Sequence, residues 1–451
     1  MIKYFLILIN IIFSIEFEAP YMEEYMLDNG MTIILAPTYE QPVVSIEVLV
    51  GAGEINAGIN KYFVADLTSE LMCYENQNYN HDELSKYIDN FGLWGPWSYT
   101  AFDYTKFVSR GLKENIENLI SLNSEILRYP SYNKKRFNHE LNESIRWHKW
   151  RVEDRPHRIA SFHILNMLTG INMKTFSSDS SSISLEDIKT FYNSYYYPSN
   201  IKLIISGDFN LEYAKILIEK YFSNWKEVGD VKSTKKYFSK KSDGINVRFI
   251  DQPATKKPYI GIVMPGLSAG DVDFSSFLLV NSILSRGWNG RLFHSNKLIS
   301  ENWDDFDNII AWERTWNGLL YGSETSYSNI DNIFQAIKNE IKNIKQNNIT
   351  KSELEAAKQY QIGKSIISFE QPSDWMAWVL GELSAGHSLE DIKSWVNTLE
   401  AVTLDDVNMA ANKYWDHENF YLIVFGDKDS TETFLNQFEN VEYYERFDPS
   451  K

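Results

Sequence analysis

The side chains able to do chemistry are few, and most are badly spaced for it. The eight histidines are His81, His139, His148, His157, His163, His294, His387 and His417, and the closest two, His157 and His163, are six residues apart. A helical two-histidine metal site needs a spacing of three or four residues to bring both imidazoles to one face. Neither HExxH nor HxxEH therefore occurs in the chain. His148, His157 and His163 share the aromatic, basic stretch RWHKWRVEDRPHRIASFH, but Pro156 breaks any helix between the first two. They are expected at a surface or an interface. The single cysteine, Cys73, closes the apolar run FVADLTSELMCY, which predicts an inert buried thiol rather than a nucleophile. It also excludes an intrachain disulfide framework. No GxxxxGK(S/T) phosphate loop, GxGxxG turn or GxSxG elbow is present. With 61 acidic residues, neighbouring carboxylates arise by number alone and need geometry before they carry meaning.

The elements that would position a site come in two copies. Residues 182–208, SISLEDIKTFYNSYYYPSNIKLIISGD, lie on residues 401–427, AVTLDDVNMAANKYWDHENFYLIVFGD, without a gap and with nine of 27 positions identical. Both read as a capped helix, an aromatic turn, a buried strand and a Gly-Asp turn, with Ser184 and Thr403 as the N-caps. One long repeat in two copies predicts a duplicated domain, not a solenoid. Each half also opens with a strand pair: Met31–Pro37 with Val43–Gly51, and Ile245–Asp251 with Tyr259–Pro265. The Lys-, Ser- and Gly-rich stretch 224–245 lacks helical periodicity and reads as a solvated linker. The expected organisation is thus two α+β units, 20–225 and 245–447, joined by 226–244.

Composition narrows the function classes. The 451 residues carry a formal net charge of −17, which argues against a nucleic-acid binder. The same charge is expected to steer basic peptides toward the chain. At the N-terminus, Lys3 precedes the apolar run YFLILINIIFSI and the acidic Glu16 and Glu18. Residues 1–18 are therefore expected to be a signal peptide, giving a periplasmic or secreted protein with no integral membrane span in the mature chain.

The order of segments resembles the insulinase/pitrilysin-like zinc peptidases, which include the mitochondrial processing peptidases. The resemblance begins with LDNGMTIILAPTYEQPVVSIEVLVGAGEINAGINKYFVADLTSELM and runs through DELSKYIDNFG and YYYPSNIKLIISGDFN. It resumes with GRLF, ITKSELEAAKQYQIGKSIISFE and LEAVTLDDVNMAANKYW, so it spans nearly everything from residue 25 to 427. It implies two homologous domains, each a mostly antiparallel sheet covered by helices. It also implies that Asp66 and Glu70 stand where active members carry the two histidines of HxxEH, and Ser69 where they carry the glutamate base. The third ligand, a later glutamate, falls near 140–144, with Glu143 nearby. By this comparison the chain has no catalytic residue and no bound metal of its own: the imidazoles are gone, and nothing at position 69 takes a proton from a metal-bound water.

Silent members of that family pair with an HxxEH subunit and contribute an arginine and a tyrosine from the second half. Here GRLF is present, and Arg291 within it is, with Lys297 and Tyr321, a candidate for substrate binding; the motif continues as HSNKLISENWDDF. Lys297 takes the arginine position without its bidentate fork, and Asp304 falls near the tyrosine position, leaving Tyr321 or Trp312 as stand-ins. Three readings follow. The first is a non-catalytic subunit pairing with an HxxEH zinc peptidase, zinc residing in the partner, around a peptide substrate. The second is an orphan pseudopeptidase acting as a peptide-binding or envelope scaffold protein. The third is a weak enzyme holding a hard cation on Asp66, Glu70 and Glu143, set against a merely solvated helix face.

Overall fold

The computed structural model describes residues 20–444 except 59–60, 151–155, 172–181, 227–231, 233–234, 287–289, 294–305, 313–316, 347 and 368–371. Residues 1–18, Lys297 and Asp304 thus lie outside the described residues. The first half builds a six-stranded sheet from β1 (Glu23–Met26), β2 (Thr32–Pro37), β3 (Val43–Val50), β4 (Trp94–Thr100), β5 (Thr105–Leu112) and β6 (Ile201–Gly207), in the order β1-β2-β6-β3-β5-β4. The second half builds another from β7 (Ile245–Asp251), β8 (Tyr259–Pro265), β9 (Phe306–Trp312), β10 (Asn317–Glu324), β11 (Phe420–Gly426) and β12 (Val441–Tyr444), in the order β12-β7-β11-β8-β10-β9. Most neighbours run antiparallel; the parallel pairs are β2 with β6 in one sheet, and β7 with β11 and β12 in the other. The expected class, an α+β protein of two sheets covered by helices, is what is found.

The repeat maps onto matching elements. Helix Leu185–Tyr195 and β6 in one half correspond, end for end, to helix Leu404–Tyr414 and β11 in the other. Both helices begin in capping boxes. Ser184 Oγ accepts from Asp187 N, and Thr403 Oγ1 accepts from Asp406 N.

The period of two in β3 sorts its side chains cleanly. Val44, Ile46, Val48 and Val50 enter a core shared with helices Val64–Met72 and Ile116–Arg128. Ser45, Glu47 and Leu49 take the opposite face. That opposite face is where the halves meet, through an exchange of helices. Helix Pro156–Thr169, from the first half, sets Ile159, Ile164, Leu165 and Leu168 on Tyr259, Val263, Leu320, Ile423 and Phe425 of the second sheet. Helix Pro372–Ala385, from the second half, sets Trp375, Met376, Val379 and Leu383 on Ile34, Ala36, Leu49 and Ile204 of the first. Arg248 on β7 reinforces one strap: its guanidinium donates to the His163 carbonyl at 3.3 Å and to Asn166 Oδ1 at 2.8 Å, and stacks on the Tyr444 ring.

The linker is short of regular structure. Its described residues from Lys235 to Asp243 form neither helix nor strand and are mostly exposed. Among the described residues no helix is long and apolar enough to cross a membrane.

Candidate functional site

Helix Val64–Met72 presents its apolar residues Val64, Leu67, Leu71 and Met72 to the core, which leaves Asp66 and Glu70, one turn apart, on its outer flank. They do not form a freely solvated face. Both border a cleft of about 980 Å³ whose other walls are helix Lys134–His148 and edge strand β4, including Glu140, Trp97 and Trp147. The start of the helix is fixed from outside. Phe63 adopts a left-handed φ of 81°, and Glu54, buried, accepts from Phe63 N and Asp66 N at 3.0 Å each. Glu54 carries no signal in the sequence; only the fold brings it under the helix.

Glu70 meets Glu140 across the cleft. Burial and the neighbouring Glu140 push Glu70 up to about 8, while burial alone pushes Asp66 up to about 6. Glu54 also rises to about 8, through burial and the proximity of Asp66. Arg136 pairs with Glu140 at 2.7 Å and lies 3.4 Å over the Tyr74 ring. The carboxylate facing Glu70 across the cleft is therefore Glu140. Glu143 lines the cleft too, but its carboxylate is engaged by Arg146 on the next turn.

Ser69 is sealed away from the cleft's water. Its Oγ donates to the Asp66 carbonyl at 2.9 Å and lies 3.1 Å from Thr100 Oγ1 on β4. Nothing at that position serves as a base. Cys73, at the far end of the helix, has its thiol pushed up to about 12 by burial, in keeping with an unreactive sulfur.

The donor set does not fit zinc. It contains no imidazole, and the burial and neighbouring carboxyl that raise Glu70 favour its protonated form where a metal would require it ionised. Among the described residues no group of three histidine, cysteine or acidic side chains is arranged to hold a metal ion.

The histidines differ from the surface or interface setting expected of them. His148 is buried against Tyr62 and Phe63, ring centroids 5.3 and 5.1 Å away. His163 is fully buried on the strap helix between the halves, and the side chain of His157 lies outside the described residues.

Two second-half residues expected to reach a substrate are placed otherwise. Tyr321 is fully buried in the second core; its hydroxyl donates to Asn281 Oδ1 at 2.7 Å and accepts from Trp415 Nε1 at 3.0 Å. This corrects its assignment to substrate binding, since its size and both of its hydrogen bonds serve packing. Arg291 grips Glu353 with two hydrogen bonds, 2.7 and 2.9 Å, and holds that carboxylate down at about 2. Its fork is spent within the domain, again against a substrate role.

Comparison with known proteins fits this picture. Residues 182–360 match the family described as Peptidase M16 inactive domain, a stretch that leaves Asp66, Ser69, Glu70 and Glu140 outside it. The chain is 22% identical over 436 residues to the zinc protease PqqE of Helicobacter pylori, covering 92% of this chain and 93% of that one. It is 19% identical to the uncharacterized zinc protease YmxG of Bacillus subtilis, covering 88% and 96%. Among solved structures, a protease from Helicobacter pylori superposes with a TM-score of 0.80 at 19% identity, covering 90% of this chain and all of that one. The peptidase M16 inactive domain from Pseudomonas fluorescens gives 0.78 at 16%, covering 90% and 98%. In sequence this chain is homologous to the zinc proteases PqqE and YmxG, and in fold it is similar to M16-like peptidase structures.

Proposed function

We propose that this chain is a non-catalytic insulinase-like subunit that binds peptide and pairs with an HxxEH zinc peptidase, the zinc residing in the partner. The observation that carries the reading is the Glu70–Glu140 pair: two carboxyls and no imidazole stand where the resemblance places the metal ligands of active members, and burial together with Glu140 favours the protonated form of Glu70. Ser69, sealed against Thr100, removes the base as well. What survives is the cleft itself, bounded by two helices and an edge strand, with the exposed Trp97 and Trp147 at its walls. Such a cleft binds extended chains by backbone pairing and aromatic contact without cleaving them. The signal-like residues 1–18 support export, and one structural neighbour is the first half of the periplasmic protease PqqL of Escherichia coli, so the place proposed is the periplasm.

The test is a native pull-down of the tagged chain from its own cell envelope, with the eluate assayed for chelator-sensitive peptide cleavage. An HxxEH protein in roughly equal amount, with activity, is the expected result. A chain that elutes alone and inert sinks the pairing. One observation favours the second reading, an orphan peptide-binding scaffold: Tyr321 and Arg291 are both committed to internal partners and offer nothing to a neighbour's active site.

A further inference from the structure

The two sheets differ most at a place the duplication would make equivalent. Ile204 pairs with Glu47 as Ile423 pairs with Gly261, and Glu47 pairs with Val108 as Gly261 pairs with Gly322. Two residues earlier on the inner strands, Lys106 therefore corresponds to Leu320. In the second half this position is apolar and fully covered: Leu320 is 1% exposed beneath the strap helix Pro156–Thr169. In the first half the opposite strap covers Leu49 and Ile204, and the apolar cluster it forms there contains no residue of β5 or β4.

The uncovered strip has a distinct chemistry. Directly opposed residues share a face. One face thus carries Lys106, Val108 and Arg110 of β5 beside Tyr99, Trp97 and Trp94 of β4. Trp94 and Trp97 are more than half exposed. Arg110 stands 5.2 Å over the Trp94 ring and Lys106 5.5 Å over the Tyr99 ring. Neither cation makes an ion pair or hydrogen bond with a described residue. Glu47, buried between them on β3, is within electrostatic reach of both, and burial raises its carboxyl while the two cations act to lower it. Two cations facing one buried carboxyl leave this strip positive, a local exception on a chain of net charge −17.

We propose that this β4–β5 face docks the acidic side chains of an extended, aromatic-rich peptide segment, one carboxylate at Lys106 and another at Arg110, with aromatic residues stacked on Trp94 and Trp97. The proposal rests on the peptide-binding reading above and reverses the preference that net charge alone predicts. Lys106 and Arg110 are four residues apart on one strand, about 13 Å, so side chains four residues apart on an extended peptide match the pitch.

The test measures binding of length-matched Glu–Tyr, Gln–Tyr and Lys–Tyr peptides, with a glycine after every residue so that the charged or amide side chain and tyrosine share one face, to the full chain by fluorescence anisotropy. The Glu–Tyr peptide is expected to bind most tightly, to weaken as salt rises, and to lose about tenfold with Lys106→Gln and Arg110→Gln combined. Equal or tighter binding of the Gln or Lys peptide, or no effect of the double variant, overturns the acidic preference and leaves the peptide-binding reading standing. Failure of all three peptides to bind overturns both. Should the double variant not fold, the salt dependence of the wild-type chain decides: affinity for Glu–Tyr that is independent of salt overturns the proposal.

Discussion

The raised carboxyls around helix Val64–Met72 give the folding equilibrium a pH dependence of definite sign. Glu70, Glu54 and Asp66 hold their protons more tightly folded than unfolded, so unfolding releases protons. Their contribution to stability is greatest below the ordinary carboxylate range and falls as pH rises. The loss ends near pH 6 for Asp66 and near pH 8 for Glu54 and Glu70. The urea midpoint is therefore expected to decline between pH 6 and 8, and Glu70→Gln to flatten that decline; a wild-type midpoint that stays level across the window defeats the assignment. A second prediction concerns ancestry written into side-chain positions. Because Glu140 already faces the helix, the triple change D66H, S69E and E70H is expected to bind roughly one equivalent of zinc, read by metal analysis after dialysis. If the triple variant folds and stays metal-free, Glu140 is not placed as a third ligand. The sequence pointed to Asp66, Ser69 and Glu70 because they fall within one recognisable segment. It bracketed 140–144 and singled out Glu143 rather than Glu140, because helical register is not legible across some seventy intervening residues, and one turn separates a side chain facing Glu70 from one paired with Arg146.

At the scale of elements, the repeat was the most legible feature, for a physical reason. Capping boxes and buried strands impose residue types at fixed offsets, so Ser184, Thr403, Leu203 and Leu422 carry their structural roles openly. Ser184→Ala and Thr403→Ala are each expected to cost about 1 kcal/mol, and to add when combined, because the two caps serve separate cores. Calorimetry of the single and double variants checks this; strong non-additivity means the halves do not keep independent cores. The strap helices were not legible. An apolar stripe on Pro156–Thr169 or Pro372–Ala385 says that a helix must be covered, not that the other half's sheet covers it. Tyr321 failed similarly: an aromatic hydroxyl looks alike whether it meets a substrate or, as here, Asn281 and Trp415.

For the whole molecule, the exchange of straps makes the halves one cooperative body despite their two cores. Trp375 is among the largest fully buried side chains and sits on the first sheet although it belongs to the second half. Trp375→Ala is expected to cost about 3–5 kcal/mol and to raise amide exchange in β2, β3 and β6, strands far from it in sequence. Exchange that rises only in residues 372–385 means the strap is a passenger and not a bond between halves.

That exchange also dictates an order of events as the chain is made. The face formed by Ile34, Ala36, Leu49 and Ile204 has no cover until residues 372–385 have been synthesised. Between the synthesis of β6 and that of this helix the first sheet presents an apolar face, and among the described residues its cover comes from the second half. A chain crossing a membrane in an unfolded state escapes that exposure; one that lingers and folds early does not. The late helix thus acts as the closing step of biogenesis, and a stop codon before it leaves the first sheet uncovered, a target for proteases and chaperones.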